Sequence, residues 1–383
     1  MKDFFDSWFS IIGSLASIIS LIVLGIAAFR KYRNNKRLKY SNPFNNSSQI
    51  RKKEIRRIIR TIMGGQSSAI ISVFEQERTA ILAVLNKEYD DKAGKLIFSD
   101  LDIASLDANC EPEEFWKQAL KPLKVDCQKR QRFSWWNSAL GKVYKACQNN
   151  QFDNFYLKEL FKQLKQDNRQ LVLMIDRFDL LLQRKLLKRT DFFSILREIA
   201  SRYPSSLNLV ITLSMPLRQF HKKNEELNPG GSPYFNFIDA NQETLGVLSE
   251  AEIDKLLEQS ERKLTKDAHQ FIKNAAGGHP YLLQVATGVW WNAYDDNENN
   301  PIERAEEIFP KKIKSLLNNI LQAWAENTCK AFLSVAQKRD VSDFIEELDE
   351  LEEQGFIMKE NGVWQIRPSV FSSLLVAENE KIV

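Results

Sequence analysis

Residues 155–214 carry the pattern that decides the fold: FYLKELFKQLKQ (Phe155–Gln166), QLVLMID (Gln170–Asp176), DFFSILREIASRY (Asp191–Tyr203) and LNLVITLS (Leu207–Ser214). The first and third place apolar residues three and four apart, as an amphipathic helix requires. The second and fourth are short, nearly continuous apolar runs, as strands covered on both faces require. Strands alternating with helices at this spacing predict a parallel sheet with crossover helices, an α/β domain.

The same alternation continues upstream. Arg51–Met63 puts Ile55, Ile58, Ile59 and Ile62 on one helical face with basic residues opposite, and Gly64-Gly65 ends it. SSAIISVF (Ser67–Phe74) reads as a strand and TAILAVL (Thr79–Leu85) as a helix. KLIFSDLD (Lys95–Asp102) is a further strand, followed by helix EPEEFWKQALKPL (Glu111–Leu123), which Glu111 and Pro112 start. Residues 124–152 are polar and without period, and read as an irregular insertion that buries Trp135 and Trp136. Beyond about residue 245 helices take over, in LSEAEIDKLLEQS (Leu248–Ser260), DAHQFIKNAA (Asp267–Ala276), PYLLQVATGVWWNAY (Pro280–Tyr294) and around Ile313–Ala325. The chain closes with VSDFIEELDELEEQ (Val341–Gln354) and GFIMKENGVWQIR (Gly355–Arg367), where Asn361-Gly362 is a hairpin turn. Helices followed by a β-ribbon suggest a winged-helix-like module.

A different signal precedes the α/β region. Trp8–Phe29, WFSIIGSLASIISLIVLGIAAF, has no charged residue. As a helix it would be roughly 33 Å long at ~1.5 Å per residue, enough to span a bilayer core of about 30 Å. Arg30, Lys31, Arg33, Lys36, Arg37 and Lys39 follow it, whereas Lys2 is outweighed by Asp3 and Asp6. That asymmetry argues against a cleaved signal peptide and places the C-terminal side in the cytoplasm. The expectation is an inner (plasma) membrane protein with one transmembrane helix, N-terminus out. Ser10, Gly13, Ser14 and Ser17 form a small-residue stripe along which two anchors could approach closely. The basic half of 30–48 would lie against anionic membrane lipid.

Composition bounds the rest. With 43% hydrophobic and 27% charged residues, the 383-residue chain has enough apolar content for two or three packed units beyond the anchor. Cys110, Cys127, Cys147 and Cys329 are widely spaced and there are three histidines, which argues against a zinc site and for reduced thiols in a cytosolic body.

The order of short motifs resembles the AAA-like ATP-binding proteins of the STAND class of bacterial P-loop NTPases, from Asn42 to about Phe371. The matches are Asn42-Pro43-Phe44, Gly65-Gln66-Ser67, FWKQAL (Phe115–Leu120), LVLMIDRFDLL (Leu171–Leu181), GSPYFN (Gly231–Asn236), LGVLSEAE (Leu245–Glu252) and GGHPYLLQ (Gly277–Gln284). The resemblance implies a P-loop NTPase-like parallel sheet sandwiched by helices, then a helical domain and a winged-helix-like module. Boundaries follow: 1–7 outside, 8–29 anchor, 30–48 linker, 49–244 α/β domain, 245–325 helical domain and 326–383 winged-helix-like domain.

Departures from the family pattern bear on function. A P-loop cradles phosphates with backbone N–H groups freed by its glycines, a lysine reaches the terminal phosphates, and a Thr or Ser holds magnesium. Aligned from Gly65-Gln66-Ser67, the glycine positions hold Ser72 and Glu77, the lysine position holds Arg78, and Thr79 is kept. The Walker B strand ends in Asp176, but Arg177 stands where the family has a catalytic carboxylate. Ser214 ends the sensor-like strand, and Pro280 matches a proline that the family places near adenine, though it also suits the start of a helix. Residual nucleotide contact would therefore be weak, through Ser72, Glu77, Arg78, Thr79, Asp176, Arg177, Ser214 and Pro280, with Thr79 and Asp176 holding Mg if ATP or ADP is retained. No cofactor and no catalysis are expected. His279 and His221 read as surface or cap residues. DNA binding is disfavoured, because Asp343, Glu346, Glu347, Asp349, Glu350, Glu352 and Glu353 load the last helical segment with negative charge. The expected role is a membrane-tethered, catalytically silent ATPase-like scaffold with an unidentified protein partner. The alternatives are a nucleotide-sensing switch without turnover, and a membrane effector in bacterial defence or stress that acts as a homo-oligomer.

Full-length protein is expected in the membrane fraction after alkaline wash, with Gly13→Ile/Ser17→Ile weakening anchor-to-anchor cross-linking without releasing the chain. Extraction by salt alone would remove the spanning helix; equal cross-linking would remove the stripe.

Overall fold

The computed structural model describes residues 50–88, 95–131, 137–229, 231, 233–258, 260, 264–296 and 299–379. The expected anchor, with Trp8, Gly13, Ser17 and Phe29, lies outside them, as do linker residues 30–48 and the Trp135-Trp136 pair. Among the described residues no helix is long and apolar enough to cross a membrane.

Five parallel strands form the central sheet: β1 (Ser68–Ile71), β2 (Leu96–Asp102), β3 (Gln170–Asp176), β4 (Leu207–Leu213) and β5 (Gln242–Thr244), in the order β2-β3-β4-β1-β5. Side chains alternate across a strand, so β1 to β4 each feed two cores. Leu171, Leu173 and Ile175 of β3 join Leu209, Ile211 and Leu213 of β4 in the larger core. Val172, Met174 and Val210 point to the opposite face. There α1 (Lys52–Met63) contributes Ile55, Ile58 and Ile62, and α2 (Glu75–Glu88) contributes Ile81, Leu82 and Leu85. Doubly covered strands explain the near-continuous apolar runs in the sequence.

The larger core is closed by α3 (Pro112–Ala119), α4 (Lys121–Gln131), α5 (Ala139–Asn149), α6 (Asn154–Gln166) and α7 (Thr190–Arg202). Within 124–152, read from sequence as irregular, residues 124–131 and 139–149 are helical. Lys121–Gln131 is mostly polar, and its apolar contacts are limited to Leu123 and Cys127, so it gives no clear period. Leu140, Tyr144 and Cys147 of α5 are buried. β5 was not read as a strand, being three residues long with one buried side chain.

After α8 (Leu217–Lys223) and β5, a second packed region gathers α9 (Glu250–Glu258), α10 (Lys266–Ala276), α11 (Pro280–Asp295) and α12 (Pro301–Ala323). α13 (Glu326–Ala336), α14 (Ile345–Glu353), the antiparallel hairpin β6 (Ile357–Glu360)–β7 (Val363–Ile366) and α15 (Ser369–Asn379) pack into the same core. That core also takes in Phe74, from the end of the β1–α2 connection, so it reaches back to the sheet.

Two glycines separate backbone conformation from packing at this junction. Both have positive φ, +80° at Gly355 and +84° at Gly362. A Cβ at Gly355 would lie 2.5 Å from Val247 Cγ1, whereas at the hairpin turn Gly362 nothing is within 4 Å. Gly362→Ala should therefore lower stability by about 1 kcal/mol for the backbone conformation alone. Gly355→Ala should lower it by roughly 3 kcal/mol, strain and overpacking together, as read by urea midpoints. Equal effects would show that the seam at Val247 is loose.

Candidate functional site

The five strands end at one edge of the sheet, where crevices form in parallel α/β folds. Asp102, Asp176 and Ser214 end or follow strands there, and Ser72 follows β1. Asp176 is the hub and is almost wholly buried. Its carboxylate accepts from Thr79 Oγ1 at 2.8 Å, from Thr212 Oγ1 at 2.5 Å and from the Arg177 N–H at 3.0 Å. The two residues expected to hold a cation thus meet directly.

The connection from β1 to α2 is three residues, Ser72–Phe74, and the helix starts at Glu75. Sequence reading placed helical character only from Thr79. Four backbone donors of the connection and the first helical turn are bonded within the protein. The Ser72 N–H donates to Leu213 O at 3.1 Å, and the Phe74 N–H to Ser72 Oγ at 3.2 Å. The Glu77 and Arg78 N–H groups donate to Phe74 O at 3.1 and 3.5 Å. At these four positions the backbone offers a polyphosphate no free donor.

Side chains fill the space beside them. Glu77 is buried, and its carboxylate accepts from Arg51 Nη2 at 3.1 Å. Arg51 also donates to Gly246 O, and its φ of 60° is left-handed, a strained conformation for arginine. Burial pushes the Glu77 carboxyl up to about 7, with Arg51 and, more weakly, the Tyr281 N–H opposing. Its second oxygen, Oε1, has no hydrogen-bond partner of good geometry. Tyr281 is in the first turn of α11, so the carboxyl sits near a helix N-terminus that favours negative charge. Arg78 is buried and donates to Ser72 O; burial lowers its pKa while Asp179, Asp176 and Glu75 counteract.

Phe74 completes the filling. Its ring centroid lies 5.2 Å from His279, 5.7 Å from Tyr281 and 6.1 Å from Phe356, joining the β1–α2 connection to α11 and the C-terminal hairpin. His279 is buried rather than at the surface, though it does stand at the cap position of α11. Its Nε2–H donates to Gly355 O at 3.1 Å, and burial lowers its pKa to about 3, so the ring is neutral. Pro280 is the buried first residue of α11, the role its helix-start position suggested. His221 is partly buried, with Asp239 3.8 Å away.

Arg177 takes a left-handed conformation, φ 55°, and folds back over the strand ends. Nε donates to Asp102 Oδ1 at 2.8 Å, Nη2 to Asp102 Oδ2, and Nη1 to Glu75 Oε1 at 3.0 Å. These bonds raise its pKa and keep it cationic. Ser214 Oγ donates to Asp179 Oδ2 at 2.5 Å. The expected residues therefore divide. Ser72, Arg78, Thr79, Asp176, Arg177 and Ser214 line the strand edge, while Glu77 and Pro280 belong to the junction with α11. Arg51, Phe74, Glu75, Asp102, Asp179 and Thr212 were not singled out from sequence. The usable signal for Arg51 was an arginine at a helix N-cap, where Ser, Thr, Asp or Asn is usual.

No family model and no curated protein matches the chain. Among solved structures it resembles the Walker-type ATPase PABY2304 of Pyrococcus abyssi, at 14% identity over 85% of this chain and 95% of that one, with a TM-score of 0.55. It also resembles the Aeropyrum pernix ORC2 protein in its ADPNP–ADP complexes, at 12% identity over 86% and 95%, with a TM-score of 0.51. The fold is P-loop ATPase-like. At these identities the likeness is one of fold.

The Glu77 carboxyl has a higher pKa folded than unfolded. Its contribution to stability is full below about 4.5 and is lost as pH rises to about 7. Glu77→Gln should remove that loss. Relative to the variant, the wild type should weaken by on the order of 3 kcal/mol across that window, as measured by urea denaturation at a pH series. Parallel curves would mean that Glu77 stays ionised throughout. His279 acts in the opposite sense: its contribution is present above about 6.5 and falls away toward about 3, an interval that overlaps most of the Glu77 window, so the difference from Glu77→Gln is what isolates Glu77.

Proposed function

We propose that this chain is a membrane-anchored, catalytically silent ATPase-like scaffold whose body is held together by its own side chains where related folds hold a nucleotide. One observation carries the reading: in the stretch aligned with a phosphate loop the glycine position is filled by the buried Glu77, and the N–H groups of Ser72, Phe74, Glu77 and Arg78 are bonded internally. A carboxyl there opposes a polyphosphate by charge and by volume. Arg177, tied to Asp102 and Glu75, offers no base to activate water. The residues present do not fit a bound nucleoside triphosphate, so the scaffold would work through protein contacts and the membrane. The helix–helix–hairpin end reads as a winged helix turned to packing: Gln219 and Arg218 of α8 bond Glu350 of α14, joining it to the sheet domain.

A second reading, weak nucleotide binding without turnover, is favoured by the retained Thr79–Asp176 contact. It would require Thr79 and Asp176 to separate around magnesium and Phe74 to leave its aromatic neighbours.

Purified protein should hydrolyse ATP with magnesium no faster than a Thr79→Ala/Asp176→Ala control. Its unfolding midpoint should also not move with MgATP, whereas ligand at a hundred times its Kd would add ~2.7 kcal/mol. Turnover lost in the control variant would defeat the proposal, and a midpoint rise without turnover would replace it by the second reading.

A further inference from the structure

α1 has two opposed faces. Ile55, Ile58 and Ile62 are buried in the core shared with α2 and the sheet. Lys52, Lys53, Arg56, Arg57 and Arg60 are all exposed, within an arc of about 140° at 100° per residue. Arg57 is answered by Glu243, and Lys53 lies in the field of Glu252. The other nearby carboxylate, Glu54, turns to Arg51. The side chains of Lys52, Arg56 and Arg60 have no ion-pair partner among the described residues. Steps of four put these three on one line along the helix, and Met63, 66% exposed, extends it.

The place of this line in the chain says what it could meet. Twenty residues, 30–49, separate α1's approach from the apolar segment 8–29, and six of them are basic. Fully extended, they reach at most about 70 Å, so α1 is confined near whatever holds residues 8–29. An effective concentration set by so short a tether makes even weak surface contacts count. Cytoplasmic leaflets are anionic, and each Lys or Arg near them gains binding that fades within a Debye length.

We infer that the Lys52–Arg56–Arg60 line is a docking face for anionic lipid, laying α1 along the bilayer with Met63 at the headgroup layer. The inference rests on the anchored reading of residues 8–29 and specifies which side of the body faces the membrane. A single convex helix with a line of cations and an apolar end suits a flat headgroup surface.

The test uses the full chain reconstituted into phosphatidylcholine bilayers, with or without phosphatidylserine, and reads amine labelling at Lys52 and Lys53 by mass spectrometry. With phosphatidylserine present, labelling should slow by about tenfold, and Arg56→Glu/Arg60→Glu should abolish the protection. Flotation reports the anchor separately. Flotation with both lipid mixtures but equal labelling would overturn the docking face and leave the anchor standing. Flotation only with phosphatidylserine, lost in the double variant, would overturn the anchor and uphold the face. Flotation with neither would overturn both. Protection by duplex DNA or RNA without lipid, absent on phosphatidylserine bilayers, would overturn the lipid assignment in favour of nucleic acid.

Discussion

When the carboxyl buried at position 77 ionises, other groups must answer for its charge, and those groups fix how three parts of the molecule meet. Arg51 supplies one answer from the chain entering α1, held in a left-handed conformation while it also bonds Gly246 O. The first turn of α11 supplies another through the Tyr281 N–H. Together they are not enough to keep Glu77 at the usual carboxylate pKa, because desolvation outweighs both. A buried ion pair is poor evidence of net stabilisation, but removing one partner strands the other. Geometry rather than strength is therefore what this pair contributes. It sets where α1, α2 and α11 stand relative to one another.

Apolar contact does the larger share of the joining. Phe74 is buried among His279, Tyr281 and Phe356, and Phe356 in turn lies against Trp324, Phe332 and Phe371. An aromatic side chain buried to this extent contributes on the order of 2–3 kcal/mol. A neutral His279 fits this setting, since a charged ring would have to be desolvated without a second acceptor. The helix beginning at Glu75 leaves a three-residue connection whose last residue, Phe74, is buried in the second core.

Much of the sheet was legible because doubly buried strands have few sequences open to them. QLVLMID and LNLVITLS could hardly be anything else once helices with clear apolar faces flanked them. Other elements left weak signals for physical reasons. Lys121–Gln131 packs with only a few apolar residues, and β5 forms three backbone pairings with β1 but buries one side chain. In the site, Thr79 and Asp176 were legible from their order, whereas Asp102 was not, because its role arises only when Arg177 folds back. Arg51 and Glu77 are 26 positions apart, and no local period links them. Contacts that depend on a distant charge are set by the tertiary structure, and a sequence shows them only after the fold is known.

The two faces of α1 show how closely the junction and the surface are coupled. Its buried isoleucines fix the helix on the sheet, Arg51 at its start is committed to Glu77, and its outward line of cations is left for solvent or a partner. Anything that pulls on the approach to α1 therefore acts first on Ile50 and Arg51, both buried against the second region rather than loose in solvent. Under the reading proposed above, the body has no nucleotide whose hydrolysis could open that junction. A change of state would have to come from contacts made by the protein itself, and the stretch entering α1 is where force or binding would reach the buried pair by the shortest path. Two states of the junction would then differ in whether Arg51 keeps its acceptors, and losing them would strand a buried carboxyl at a cost of several kcal/mol unless it took up a proton. Near neutral pH that proton is close at hand, because burial has already raised the Glu77 pKa to about 7. In mild acid the closed junction already holds that proton, and a Glu77 released to water would ionise, so it is alkali that loosens the junction.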